Sequence, residues 1–282
     1  DRVAGVYTTG QIQNMVHLHH QPVGERAVIV GAELVSWSAA LTLSEAGCRT
    51  EALISQYPKG EAYPFFTHPG KLWFRTRVVP ASEVVAVKGR GRVSAVDIRN
   101  TRTGRIETIA CDTVVFTGDW IPDHELARLL GLQIDPANGS PVVDAAMRTS
   151  KPGVFAVGNL NHPVETADVV ALEGRHVADR IAEYLGGAAW PGDGARLRVE
   201  PPLRWVSPTM YRPGDGEPAR NRLVCWIDEF ITAPVVTVRQ GGKQISRTRL
   251  AWSAAPGRAF RIPSKVLHGV DARAGDVTIA VD

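Results

Sequence analysis

The chain has 282 residues, with 32 Lys and Arg against 29 Asp and Glu and a formal net charge of +3. That length suits two or three domains, and a charge spread along the chain without a Lys/Arg block argues against a nucleic-acid partner. Cys48, Cys111 and Cys225 form no CxxC pair, so a redox dithiol or zinc knuckle has no support and a reducing, cytoplasmic compartment is expected.

No apolar run approaches the roughly 20 residues of a membrane span, and no signal peptide is visible. The opening "DRVAGVYTTGQIQNMVHLHH" lacks an initiating Met and enters mid-pattern, so a longer parent protein is expected. In "HLHH", strand spacing would put His17 and His19 on one face, as in a metal site. No third ligand accompanies them or His20, so a solvated crossover is expected and no metal.

"RAVIVG" (26–31) reads as a buried parallel strand ended by Gly31. Residues 33–46 follow with helical spacing at Leu34, Trp37, Ala40, Leu41 and Leu43, and Gly47 stops the helix. "RTEALIS" is a second strand, which completes a βαβ unit. Between residues 83 and 116 the chain turns β-rich, with turn signals at "KGRG" and "NTRTG", and predicts an antiparallel meander that ends in "TVVFTG". "DHELARLLGL" predicts a short helix. "GVFAVG" predicts a strand, and a long helix is expected over about 165–185. "GGAAWPGDGARLRVEPP" reads as a linker. The short alternating runs beyond residue 200, with a hairpin turn at "QGGK", predict a β-sandwich holding Trp205, Trp226 and Trp252 in its core.

"TSKPGVFAVGN" resembles the second flavin-binding motif of the two-dinucleotide-binding-domain flavoproteins, the superfamily that includes the pyridine-nucleotide disulfide oxidoreductases. Thr149, Pro152, Gly153, Phe155, Ala156 and Gly158 match it, and Asn159 stands where that family usually has Asp. The resemblance implies an FAD site in which Gly158 allows close backbone approach and Asn159 reaches the ribityl chain and pyrophosphate. It also implies that the N–H groups near Thr166 and Ala167 face the flavin O2, where a positive helix end stabilises the charge of reduction. Gly174-Arg175 lies at the family's distance from Asn159. "TVVFTGDWIPD" resembles the return strand into the FAD domain and adds Gly118 and Asp119 to the expected cofactor contacts. "GVYTTGQIQNMV" and "NHPVETADVVALEGRHVA" look closer to the FAD subunits of amine, opine and sarcosine oxidases and hydrogen cyanide synthase. These oxidise a C–N bond by hydride transfer to flavin.

The expected fold is therefore α/β: a Rossmann-like NAD(P)-type domain inserted in a partial FAD-binding domain, followed by an all-β domain. The expected boundaries are 1–23 crossover, 24–112 Rossmann-like domain with meander, 113–188 C-terminal half of the FAD domain, 189–201 linker and 202–282 β-sandwich. The family's first G-x-G-x-x-G, which grips the ADP moiety of FAD, would precede all of this. The chain alone is thus expected not to retain FAD.

The dinucleotide loop Gly31, Ala32, Glu33 departs from its pattern. Glu33 occupies the second glycine position, where the pyrophosphate touches the backbone, and Ser36 the third. A carboxylate about 4 Å from a phosphate repels it by roughly 1 kcal/mol in water and about 4 kcal/mol at an effective dielectric of 20. The acid that would take the ribose hydroxyl is missing near Ser55 and Gln56, and Glu51 comes too early. Use of NAD(P) is therefore doubtful, and both a vestigial and a working site stay open. His162 is the one candidate general base, with helix capping or an interface as other readings. Glu165 and Asp168 suit the start of a helix without chemistry.

Two classes of function remain. One is an FAD-dependent oxidoreductase acting on a small amine or amino-acid-like substrate, with a possible partner subunit and no membrane or nucleic acid. The other is a non-catalytic scaffold or partner subunit on a degenerate flavoprotein fold, with an NAD(P)H-dependent flavin reductase as a further alternative.

Overall fold

The computed structural model describes residues 3–118, 120–192, 194–212 and 214–282. It divides into two compact units, Asp1–Asp119 and Trp120–Asp282.

The first unit is built on a five-stranded parallel sheet, ordered β1-β8-β2-β3-β4. Its strands are β1 (Val6–Thr8), β2 (Arg26–Val30), β3 (Arg49–Ile54), β4 (Arg77–Val79) and β8 (Thr113–Phe116). A parallel strand covered on both faces needs a continuous apolar run, and "RAVIV" supplies one. Ala27 and Ile29 of β2 join Leu53 and Val115 in a cluster on one face, with Trp37, Ala40 and Leu43. Val28 joins Ala52, Ile54 and Val114 in a second cluster, with Val96 and Ile98. The period of two thus divides each strand between two cores.

The first cluster takes in helix α1 (Thr9–Gln13), through Ile12, and α2 (Leu34–Glu45), whereas Leu41 of α2 is exposed. Gly47, at φ +74°, ends α2 as expected, and Cys48 N donates to Leu43 O. The second cluster is covered by the predicted meander β5 (Ser82–Arg90), β6 (Arg92–Asn100) and β7 (Ile106–Ala110). Helix α3 (Pro64–Trp73) and strand β4 had no counterpart in the sequence reading.

Strand β8 corrects the expected boundary at residue 113. It pairs with β1 on one side and β2 on the other, with Val115 opposite Ile29. Val114 and Val115 point to opposite faces and are both fully buried, which a central strand achieves and an edge strand does not. Residues 113–117 therefore belong to the Rossmann-like unit, and so does β1 within the expected crossover 1–23. "HLHH" begins inside a π-helical turn, Asn14–Leu18, and runs out of it, and no cluster of metal ligands exists among the described residues.

The second unit opens with α4 (Glu125–Leu129) and an irregular stretch, and then α5 (Ala167–Leu185). The strand expected at "GVFAVG" is reduced to one bridge, Arg148 with Phe155, and a 3-10 turn at Gly158–Leu160. Its backbone bonds locally instead: Val154 N donates to Lys151 O and Ala156 N to Met147 O. Eight strands follow: β9 (Ala195–Val199), β10 (Leu203–Ser207), β11 (Met210–Tyr211), β12 (Arg222–Ile227), β13 (Val235–Gln240), β14 (Lys243–Arg249), β15 (Phe260–Pro263) and β16 (Val277–Val281). They form sheets β10-β12-β15 and β11-β9-β16-β13-β14.

Alternate residues of both sheets enter one apolar cluster: Leu223, Cys225 and Ile227 from β12, Val236 and Val238 from β13, and Val277, Ile279 and Val281 from β16. The "QGGK" turn is as expected, with Gly241 and Gly242 at positive φ between the paired Gln240 and Lys243. Strand β9 falls inside the expected linker 189–201, so the β region begins at Ala195. No helix among the described residues is long and apolar enough to cross a membrane.

Candidate dinucleotide and flavin sites

The carboxyl ends of β2, β3 and β8 converge on the loop before α2. Gly31 has φ +133°, its N–H donates to Ile54 O at 2.8 Å, and a Cβ there would lie 2.0 Å from Thr117 Oγ1. Only glycine fits. Thr117 N and Oγ1 both donate to Val30 O, at 3.1 and 3.0 Å. The Ser36 and Thr117 hydroxyls lie 2.8 Å apart and tie the first turn of α2 to the end of β8. Ser36 therefore fastens helix to sheet at the third position of the loop.

Glu33 is the N-cap residue of α2, and its carbonyl accepts from Ser36 N at 3.1 Å. Its side chain is only 5% exposed and folds over Gly31 between Ser36 and Thr117. Oε1 has no hydrogen-bond partner. Burial raises the pKa of this carboxyl, against the pull of the Thr117 and Ser36 hydroxyls. A second acid, overlooked in the sequence reading, stands beside it. The Ala62 N–H donates to Ala32 O at 3.1 Å, which lays residues 60–62 on the loop. Glu61 there is also 5% exposed, with Oε2 unpartnered. Burial first, and then the charge of Glu33, push its pKa up to about 8. The turn signals "YPKG" before it mark a chain reversal, the one local hint that Glu61 returns to the sheet. Glu51 pairs instead with Arg26 at 2.9 Å. Gly118 is exposed, two residues past the end of β8, and belongs to the first unit. Asp119 lies outside the described residues.

The second unit holds the rest of the expected flavin site. Gly158 has φ +69°, and a Cβ there would come 2.8 Å from Val170 Cγ1 of α5. Its N–H donates to Glu173 Oε2 at 2.8 Å, and Glu173 Oε1 lies 2.5 Å from His162 Nε2. Glu173 thus joins the glycine turn, the following loop and the helix. His162 is 1% exposed with Nδ1 unpartnered, so it is packed among protein groups in this structure. Asn159 is exposed and pinned by two backbone bonds: Nδ2 donates to Glu165 O, and Glu165 N donates to Oδ1, both at 3.2 Å. The Glu165 carboxylate is buried before the helix start and held by the Arg261 guanidinium, with Nε to Oε1 at 2.8 Å. Thr166 is the N-cap of α5, Ala167 its first residue, and both are exposed. The Thr166 hydroxyl holds the Asp168 carboxyl below its ordinary range.

A parallel sheet with a glycine required at a βα turn, here from β2 to α2, is the architecture of the dinucleotide-binding folds. The sequence model of the pyridine nucleotide-disulphide oxidoreductase family matches residues 3–174, more than half of the chain, and the chain belongs to that family. A thioredoxin reductase of Treponema pallidum (strain Nichols) is 36% identical over 101 residues, 36% of this chain and 32% of that protein. A ferredoxin--NADP reductase of Picrophilus torridus is 26% identical over 107 residues, 38% of this chain and 29% of that protein. In fold, the chain is similar to T. acidophilum thioredoxin reductase at a TM-score of 0.55 and 23% identity, covering 65% of this chain and 59% of that one. It is similar to an FAD-dependent pyridine nucleotide-disulphide oxidoreductase from Desulfovibrio vulgaris at 0.50 and 20%, covering 84% and 62%. The matched stretch is thus about a third of each curated relative.

Proposed function

We propose that the chain forms part of an FAD-dependent oxidoreductase in which a nicotinamide dinucleotide binds at the N-terminus of α2 and exchanges a hydride with the flavin. One observation carries this reading: Gly31, admitted by sterics alone at the turn from β2 to α2, in a chain of this family. The free N–H groups of a helix N-terminus and its dipole suit a pyrophosphate. The names of the curated relatives, a thioredoxin reductase and a ferredoxin--NADP reductase, support a nicotinamide partner and weigh against the doubt that Glu33 raised. With its carboxyl folded inward over Gly31, Glu33 is compatible with that ligand in its neutral form.

The flavin supplies a two-electron acceptor that takes or gives a hydride. The residues of the second unit fit it: Gly158 keeps the turn tight against α5, Glu165 aims the Asn159 amide, and α5 presents its positive end at Thr166 and Ala167. Cys48, Cys111 and Cys225 are all buried and unpaired, so this chain brings no dithiol to the reaction. Oxidation of a C–N bond in an amine or amino-acid-like substrate is the finer reading. It rests on the motif stretches around residues 5–16 and 161–178 and on nothing else.

The test is anaerobic mixing of the flavin-loaded full-length protein with NADH, NADPH or a panel of amines and amino acids. Rapid bleaching of the flavin by a nicotinamide is the expected result. Bleaching by an amine with none by either nicotinamide overturns the nicotinamide half of the reading. A full-length protein that binds no flavin overturns all of it and leaves the scaffold.

A further inference from the structure

We propose that Glu33 and Glu61 are a proton-sharing carboxyl pair beneath the dinucleotide loop, so that NADH binds at the N-terminus of α2 together with one proton taken from solvent. This rests on the nicotinamide reading above and assigns two residues of that site a role.

The geometry brings two acids to one buried place. Residues 31–33 and 60–62 are held together by the bond from Ala62 N to Ala32 O at 3.1 Å, and Gly60 packs on Ala32. Each carboxyl is about nineteen-twentieths buried, and each leaves an oxygen unpartnered: Glu33 Oε1 and Glu61 Oε2. Glu33 meets the Ser36 hydroxyl from α2 and the Thr117 hydroxyl just past β8, and its charge acts on Glu61 in the 60–62 loop. The groups that act on Glu61 are Glu33 and, from the end of β3, the Ser55 hydroxyl. Among the described residues, no Lys, Arg or His forms an ion pair with either acid.

Two buried carboxyls without a cation do not both ionise at neutral pH. The pair titrates as a unit, and the proton on it belongs to both. With Glu61 raised to about 8, the free protein holds that proton at neutral pH and loses it in mildly alkaline solution. A pyrophosphate seated on the α2 N-terminus adds negative charge beside the pair. It therefore favours the protonated pair, and the protonated pair favours it, by the reciprocity of linkage. The only bond formed in the step is O–H on one carboxyl, and buffer supplies the proton. A glutamate at the second glycine position is then a neutral acid whenever the ligand is bound.

The experiment is calorimetric titration of the dithionite-reduced full-length protein with NADH, from about pH 6.5 to about 9.5, in buffers of different ionisation enthalpy. Reduced flavin prevents hydride transfer, and the NADH pyrophosphate keeps one charge state over that range. Kd is expected to be flat below about pH 7.5 and to rise up to about tenfold per pH unit above pH 8, with nearly one proton taken up on binding there. Glu33→Gln and Glu61→Gln are each expected to reduce the slope and the uptake, and the double variant to abolish both. Proton counting on the unmodified protein stands even if a variant fails to fold. Binding at constant Kd with no proton uptake overturns the proposal and leaves the nicotinamide reading intact. So does a pH slope that survives in the double variant. No NADH binding at any pH, by this protein or by Glu33→Gly, overturns the nicotinamide reading and the proposal with it.

Discussion

Glu61 shows how a single side chain in this protein carries both a structural cost and a chemical use. Its folded pKa is raised to about 8 from an ordinary 4.5, with burial as the first cause and the Glu33 charge as the second. The folded state therefore holds a proton that the unfolded chain releases above about pH 4.5. Its stabilising contribution is complete below that pH and is lost as pH rises toward 8. Glu33, raised for the same first reason, acts in the same direction. Glu61→Gln should leave stability near pH 5 almost unchanged and increase it at pH 8.5 by at most about 5 kcal/mol. Urea denaturation at both pH values reads this directly. Equal effects at the two would show that Glu61 is not the titrating group. The sequence exposed half of this site. Gly31 and the substitutions at 33 and 36 were legible because the turn from β2 to α2 is local. Glu61 was not, because the seven residues after β3 loop back to Ala32, and no periodicity encodes that return.

At the scale of elements, α5 shows two glycines with opposite duties. Gly158 lies in the turn ahead of the helix at φ +69°, with Val170 of α5 2.8 Å from the place of a Cβ. Gly174 lies within the helix and has nothing within 4 Å of that place. Gly158→Ala should cost about 2 kcal/mol or more, from the left-handed backbone and the clash, and should lower the flavin content of the full-length protein. Gly174→Ala should add up to about 1 kcal/mol from helix propensity and leave flavin content unchanged. Denaturation and flavin absorbance separate the two, and equal behaviour would refute the role given to the Gly158 turn. Helix α5 itself was plain in the sequence, as was the βαβ unit, since both rest on strong local periodicity and clear stops. Strand β8 was legible as a strand and misplaced as to sheet. "TVVF" encodes burial on both faces but not which neighbours provide it. Helix α3 escaped because its periodicity is inverted: Phe65, Leu72 and Trp73 face solvent, the last two at 82% and 81% exposure, while Gly70 packs under Trp37.

At the scale of the whole molecule, each unit closes its own apolar interior. In the first, Leu53 sits in the cluster shared by β2, β3, β8 and α2. In the second, Leu223 sits in the cluster that joins the two β sheets, and Val143, Met147, Ala156 and Val177 form another with Ala219. Ala219 lies in the turn before β12 and Val177 on α5, so α5 packs against the approach to the β region. The Glu165–Arg261 pair ties the same two parts, from the residue before the α5 cap to β15. The β region is therefore tied to the segment that leads into α5 by an ion pair. Two compact units imply two cooperative transitions on heating. Leu53 and Leu223 are each fully buried, and replacing either by Ala costs about 2–5 kcal/mol. Leu53→Ala should lower one transition by several degrees and leave the other in place, and Leu223→Ala should do the reverse. Calorimetry on the two variants checks this. A single transition shifted equally by both substitutions would mean that the interiors melt as one, and the division at residue 119 would then be geometric without being thermodynamic.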